Sequence, residues 1–356
     1  MNETIYDVAV IGGSAAGAQA AISASQQMRH VLVIDAGPIS HREGRAFWSK
    51  TVEFEDVPVF DAITGPDFKK ELVKWVEGRP VSEVEIAGER RLAGIERRGG
   101  VVLQIKRDGD VLLLETSVSR MTRDRPPEVE TFQASRIIVA SGFEDIWPDI
   151  ELDESAQRMY ERYRAVFRYA GSRRGWHVCV RCDGHLHVNE EIAVVGVGDA
   201  VYETAYGAQD FTGRITIFTN GRPHGMTEPV IAQVRERKIK IDERTIRKHI
   251  GDGTDLLGFE MDDGEELFFH GFWVDEGLIP NTQFLTGWQV KTDADGLLAV
   301  DDQNRVLDPS GSPVPGIYAA GDVVSGGRKL ITSALGMGQN AGLCATDSLR
   351  RWQYPE

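Results

Sequence analysis

Cysteine is scarce here: three among 356 residues, too few for a disulfide scaffold. Cys179 and Cys182 form the only close pair, so a redox or metal role outranks a structural one. Positive charge is also short, since 40 Lys and Arg against 55 Asp and Glu leave a formal net charge of -15. That balance argues against broad nucleic-acid binding, and short basic runs such as Arg90-Arg91, Arg97-Arg98 and Arg173-Arg174 read as solvated surface. There is no long apolar run, and Met1-Asn2-Glu3-Thr4 is no basic leader. A cytoplasmic protein without a membrane segment is therefore expected, with two domains that each bury a core.

What is present begins with an apolar run, Ile5 to Ile11, that reads as a buried strand. It closes on Gly12-Gly13-Ser14-Ala15-Ala16-Gly17, and small residues continue in helical pattern to about Gln26. Small residues at such a turn let the backbone approach a pyrophosphate, and the helix amino terminus offers free N–H donors. Ser14 stands where the usual fingerprint has its second glycine. The next strand, His30 to Ile34, ends in Asp35-Ala36, where an acid can bond a ribose hydroxyl. The stretch from Pro38 to Gly65 is irregular and carries His41, Arg42 and Arg45, as phosphate contacts or as plain loop charges. A helix follows to about Glu77, with Phe68, Leu72, Val73 and Val76 on one face. Alternation in 101–105 and 111–114 around Asp108-Gly109 predicts a hairpin, 120–130 an exposed loop, and Arg136 to Val139 a return strand closed by Ala140-Ser141-Gly142.

A second strand and turn, Glu191 to Val195 and then Gly196-Val197-Gly198-Asp199-Ala200-Val201, follow the cysteine pair. Two such turns in one chain imply a flavin site and, by default, a nicotinamide site. The second is incomplete. Val201 adds volume where helix and strand meet, and the strand Arg214 to Phe218 ends in Thr219-Asn220-Gly221, with no ribose acid and only Arg222 nearby for a 2'-phosphate. Leu267 to Val274 reads as one strand leading into a crossover over 275–282.

Near the end, Gly316 to Ala320 is a strand closing on Gly321-Asp322, whose carboxylate can accept from ribityl hydroxyls. Arg328 to Ile331, with Lys329 and Leu330, precedes a helix start at Thr332-Ser333-Ala334, whose N–H groups suit a flavin's pyrimidine oxygen. Cys344 reads as a small buried residue, and Trp352 and Tyr354 as packing or as a cover for a flavin face.

The central stretch is Cys179-Val180-Arg181-Cys182-Asp183-Gly184. Thiol exchange needs an attacking thiolate and a second thiol close enough to resolve the mixed disulfide. Arg181 favours a thiolate by its charge, and Asp183 is placed to shuttle the proton. A zinc site drawing on His177 and His185 or His187 would need ligands on both sides of one short turn to converge, so no metal is expected.

These residues, in this order, resemble the low-molecular-weight thioredoxin reductase family of flavoprotein disulfide oxidoreductases, over almost the whole chain. The resemblance implies an α/β fold of two Rossmann-like domains, with the FAD domain discontinuous over 1–146 and 277–356 and a nicotinamide-domain-like lobe carrying the dithiol over 147–276. It implies a homodimer and FAD held at Gly12, Gly13, Ser14, Ala15, Ala16, Asp35, Ala36, Ser141, Gly142, Gly321, Asp322, Lys329 and Leu330. Cys182 would lie beside the flavin and Cys179 would exchange with a thioredoxin-like protein or a small disulfide. The family's Gly-Gly-Gln-Leu stretch is missing between Asp35 and Pro66, and its His-Arg-Arg stretch reads Thr219-Asn220-Gly221. In this the chain is similar to branches that lack the NADPH signature: reductases linked to ferredoxin or another donor, and dithiol oxidases returning electrons to oxygen. A redox-sensing flavoprotein without turnover is the third expectation.

Overall fold

The computed structural model describes residues 4–37, 44–48, 52–58, 60, 62–119, 126–151, 153 and 168–350. His41, Arg42, the 120–125 part of the expected loop and the aromatic tail lie outside them.

Strand β1 (Ile5–Ile11) is buried from Val8 onward, as a central parallel strand requires. It turns at Gly12 into α1 (Ala15–Gln26), and β2 (His30–Asp35) follows. Helix α2 (Gly65–Glu77) buries Phe68, Leu72 and Val76. Strands β3 (Ser82–Ile86) and β4 (Glu89–Gly99) form a further hairpin, closed by Ala87 and Gly88, both at positive φ. The expected hairpin is β5 (Val101–Asp108) and β6 (Val111–Ser117), and β7 (Val129–Val139) is the return strand, begun seven residues earlier than the apolar run suggests.

In the second unit come β8 (Trp176–His177), α3 (Val180–Asp183), β9 (Ile192–Gly196), α4 (Gly198–Ala208), β10 (Ile215–Phe218), α5 (Glu228–Glu236) and β11 (Lys240–Asp242). The run expected as one strand is two, β14 (Glu266–Phe268) and β15 (Gly271–Asp275). The break at Phe269-His270 lets the first piece pair with β13 (Leu256–Met261), which pairs in turn with β12 (Ile246–Gly251) in a separate antiparallel sheet. The chain then returns through β16 (Arg305–Leu307), β17 (Pro313–Ala319) and α6 (Ile331–Asp347).

Residues 1–46, 67–144 and 279–356 cluster as one unit, and 47–66 with 145–278 as another. The described residues of 47–66, expected to be irregular but with Glu53–Phe54 paired to Ile63–Thr64, thus group with the second unit. Among the described residues, the first unit holds a nine-stranded sheet with the path β16-β17-β7-β1-β2-β4-β3 and the β5–β6 hairpin on β7. Strands β17, β7, β1, β2 and β4 run parallel. The second unit's sheet, β8-β15-β9-β10-β11, is parallel throughout. Both are Rossmann-like layers with helices on them, so the chain is an α/β protein. No helix among the described residues is long and apolar enough to cross a membrane.

Helices α1 and α6 pack backbone to backbone. A Cβ on Gly338 would stand 2.1 Å from the Ala16 carbonyl oxygen, and one on Gly342 2.5 Å from that of Ala20. Gly336, two residues away on the same helix, has no neighbour within 4 Å of an added Cβ. Gly338→Ala should therefore cost about 1–3 kcal/mol by overpacking, whereas Gly336→Ala should gain about 0.5–1 kcal/mol from helix propensity. Denaturant melts of the two variants check this, and equal effects would contradict the packing.

Candidate functional site

Three turns of the first unit meet at the carboxyl edge of its sheet, because β17, β7, β1 and β2 are neighbouring parallel strands. Gly12, at φ 109°, brings its backbone so close to the β7 end that a Cβ would lie 2.3 Å from the Ala140 oxygen. Gly13 leaves room for Asp35, whose carboxylate an added Cβ would approach to 2.9 Å. A Cβ on Gly321 would stand 2.7 Å from that of Ala16, so the β17 turn rests on the first turn of α1. Gly12, Gly13, Ser14, Ala15, Ala16, Asp35, Ser141, Gly142, Gly321 and Asp322 thus share one edge. Ser14 precedes α1 without a side-chain cap, which leaves the first amides of the helix open to an anion.

Asp35 is already engaged. Its Oδ2 accepts from Arg97 at 2.6 Å and its Oδ1 from the Gly37 amide at 3.1 Å, beyond Ala36, while Arg97 also reaches Glu77 at 3.2 Å. Arg97, one of the short basic runs expected on the surface, is therefore part of this edge. The Ser141-Gly142 turn is held by Asn281: Ser141 Oγ donates to its carbonyl at 2.6 Å, its Nδ2 to the Ser141 carbonyl at 3.1 Å, and its amide to the Gly142 carbonyl at 3.0 Å. Within the crossover stretch, nothing in the sequence distinguishes Asn281 from its neighbours.

Asp322 is half-buried at this edge. Burial pushes its carboxyl up, against the pull of the Arg45 and Lys329 charges, and no described residue donates a hydrogen bond to its side chain. Lys329 donates to the carbonyls of Val324 and Gly326, fastening the loop before Leu330, and burial pulls its ammonium down. Leu330 precedes α6, again without a side-chain cap. Cys344, expected to be buried, is half-buried in α6.

In the second unit Cys179 and Cys182 are joined as a disulfide, with Cα atoms 5.3 Å apart. Cys179 caps α3 and Cys182 lies within it, its amide donating to Cys179 Sγ at 3.2 Å. Gly184 lets this turn lie on Phe211, whose ring an added Cβ would meet at 2.4 Å. Asp183 pairs with buried His177, Oδ2 to Nδ1 at 2.9 Å, and His177 Nε2 lies 3.1 Å from the Arg173 carbonyl. His187 instead pairs with Glu190 at 2.8 Å. No group of three metal-ligating side chains converges among the described residues.

The turn after β9 has its own cover. The Gly198 amide donates to the His224 carbonyl at 2.8 Å, and Asp199 accepts from the amide and hydroxyl of Thr227 at 2.8 and 3.0 Å. Arg222, the cation that follows the Thr219-Asn220-Gly221 stretch, is bound to Glu276 and to the Thr219 carbonyl. Val201 is fully buried, and Gly196 makes the space for it, an added Cβ falling 3.1 Å from the valine methyl.

Because burial holds the Asp322 carboxyl high, the folded chain binds its proton more tightly than the unfolded chain does. The cost of ionising it therefore grows as pH rises above the ordinary carboxylate range. Ligand-free Asp322→Asn should melt above the wild type at pH 7, with the gap closing as pH falls toward that range. Calorimetric melts across pH check this, and a variant melting below the wild type at pH 7 would contradict it.

The pattern of the pyridine nucleotide-disulphide oxidoreductase family matches residues 6–338. The thioredoxin reductase of Listeria monocytogenes is 27% identical over 348 residues, which cover 96% of this chain and 92% of the relative. An alkyl hydroperoxide reductase polypeptide of Staphylococcus aureus is 24% identical over 98% of this chain and 60% of its own length. The crystal structure of thioredoxin reductase from Streptococcus pyogenes superposes with a TM-score of 0.73 at 22% identity, covering 97% of this chain and 98% of that one, a likeness of fold. With its paired Rossmann-like units and its Cys179–Cys182 disulfide, the chain belongs to the pyridine nucleotide-disulphide oxidoreductase family, as a thioredoxin reductase-like, FAD-dependent enzyme.

Proposed function

We propose that this enzyme passes electrons between FAD and an external disulfide or dithiol through Cys179 and Cys182, with a donor other than NADPH. The observation that carries the second half is the covered turn after β9, whose Gly198 amide and Asp199 carboxylate are engaged by His224 and Thr227. A pyrophosphate there would have to displace that loop, and a 2'-phosphate would find Arg222 already paired.

The first unit's edge suits FAD on its own evidence. It offers a helix start without a side-chain cap, glycines whose missing side chains leave the backbone bare, and a half-buried carboxylate that accepts from no described residue. Gly12, Gly13, Ser14, Ala15 and Ala16 would hold the pyrophosphate, and Asp35 with Ala36 the adenosine ribose. Ser141, Gly142, Gly321 and Asp322 would hold the ribityl chain, and Lys329 with Leu330 would border the ring. When bound, the flavin supplies a two-electron store that can exchange with a dithiol.

At the dithiol, Cys179 is assigned the attack on the substrate disulfide and Cys182 the resolving step on the flavin side, with Asp183 moving the proton. The substrate assigned is a thioredoxin-like protein or a small disulfide, and the working form a cytoplasmic homodimer. A second reading runs the same centre in reverse, as a dithiol oxidase with oxygen as acceptor. The covered turn favours it equally, since neither oxygen nor a protein donor such as ferredoxin needs a nucleotide there.

Anaerobic titration of the holoenzyme with NADPH, NADH, reduced ferredoxin and dithiols in turn separates these readings. Slow or absent bleaching of the flavin by NADPH is expected, with rapid bleaching by one of the others. Full bleaching at micromolar NADPH would overturn the donor assignment. Peroxide release with a dithiol substrate would select the oxidase, and a reduced flavin stable in air would remove it.

The cysteine roles have a separate test. Cys182→Ser should shift the flavin absorbance more than Cys179→Ser does, and identical spectra would remove the assignment.

A further inference from the structure

His177 is 3% exposed and stands between two acceptors. Its Nε2 lies 3.1 Å from the Arg173 carbonyl, an oxygen that can only accept, so Nε2 carries a hydrogen. Its Nδ1 lies 2.9 Å from Asp183 Oδ2. A neutral imidazole protonated at Nε2 and an ionised carboxylate would then face each other lone pair to lone pair. The contact is a hydrogen bond only if one further proton sits between them, on the imidazole or on the carboxyl.

The surroundings keep that proton on this pair. Among the described residues, the charged and titratable groups that contact His177 or its neighbours include Asp183 on α3, Arg173 on the turn before β8, and His187 and Glu190 after α3. Strand β15 contributes the uncharged Trp273, stacked on the His177 ring at 4.9 Å. Arg173 is directed at the Leu186 carbonyl and at Glu190. His187 meets His177 edge-on at 5.3 Å, and burial, followed by the His177 charge, pulls its proton affinity down. It donates from Nδ1 to Glu190, and its buried Nε2 has no partner among the described residues.

We propose that His177 is a positioning residue that keeps one exchangeable proton beside the dithiol, shared with the Asp183 carboxylate. This rests on the reading of Cys179, Cys182 and Asp183 as the exchange centre. In the reducing direction the Cys179 thiolate attacks a substrate disulfide, a new S–S bond forms as the substrate S–S bond breaks, and the departing thiolate takes the stored proton. The Cys182 thiol then returns a proton to the pair. Its thiolate attacks the Cys179 sulfur, reforming the protein disulfide and releasing the second substrate thiolate. The substrate disulfide is reduced, the dithiol is oxidised, and the pair ends with the proton it began with. The oxidising direction is the reverse.

The test uses the leaving group. An alkyl disulfide such as hydroxyethyl disulfide expels a basic thiolate that needs this proton, whereas 5,5'-dithiobis(2-nitrobenzoate) expels a thiolate stable without one. His177→Gln keeps a donor for Arg173 and removes the titrating ring. In reduced holoenzyme carrying Cys344→Ser, H177Q should slow the alkyl disulfide about 100-fold at pH 8 and the aromatic one less than about 2-fold. Equal slowing of both substrates, or no slowing of either, would overturn the proposal. Loss of both reactions in Cys179→Ser is the check on the exchange centre itself, and wild-type rates in that variant would overturn the underlying reading instead. If H177Q does not yield folded holoenzyme, nitrogen-15 spectra of wild-type histidines decide, with His177 identified by its shift in Asp183→Asn. A proton shared at Nδ1 is expected, and a bare Nδ1 facing an ionised carboxylate would overturn the proposal.

Discussion

Gly12, Gly321 and Gly338 let three distant chain segments touch backbone to backbone, and the arrangement of the first unit depends on those approaches. An added Cβ at these positions would fall 2.3 Å from the Ala140 oxygen, 2.7 Å from the Ala16 Cβ and 2.1 Å from the Ala16 oxygen. Any side chain there would push apart the ends of β1, β7 and β17 and lift α6 off α1. Because the contacts hold, open amides of α1, the Asp35 carboxylate and the Asp322 carboxylate lie along one sheet edge. On the function proposed here, that placement would make the edge the cradle for FAD.

The second unit repeats the same strand, turn and helix, yet its turn is closed by its own loop. Gly196 and Gly198 are present as such a turn demands, and Gly196 even makes room for Val201. The difference lies in 219–227, where His224 and Thr227 bond the turn while Thr219 bonds Arg222 within the same stretch. Fold and ligand are thus separable: the layer order survives while the groups that a nucleotide would need are taken by the protein itself.

Much of this was legible in the sequence. Buried parallel strands announce themselves as apolar runs, and both glycine turns, the cysteine pair and the Gly321-Asp322 turn stand where such chemistry needs them. What escaped did so for physical reasons. Strand β4 is charged on both faces, β3 alternates only over Glu83 to Ile86, and Ala87-Gly88 between them is no standard hairpin dipeptide. One apolar run from Leu267 to Val274 hid a break, because Phe269 stays buried through the bend. Asn281, Arg97 and His177 act through partners 140, 62 and 6 residues away, and only folding brings such pairs together. In the sequence His177 stands out only as a member of a zinc set that the spacing disfavours, whereas in the fold its two nitrogens face Asp183 and a carbonyl.

The central claim is that an intact dithiol centre works beside a nucleotide turn that does not take NADPH. Calorimetric titration of NADP+ into the oxidised holoenzyme tests it most directly, because binding is then measured apart from any electron transfer. The account predicts no saturable heat up to about 1 mM ligand, while a dissociation constant near about 1 μM would contradict it.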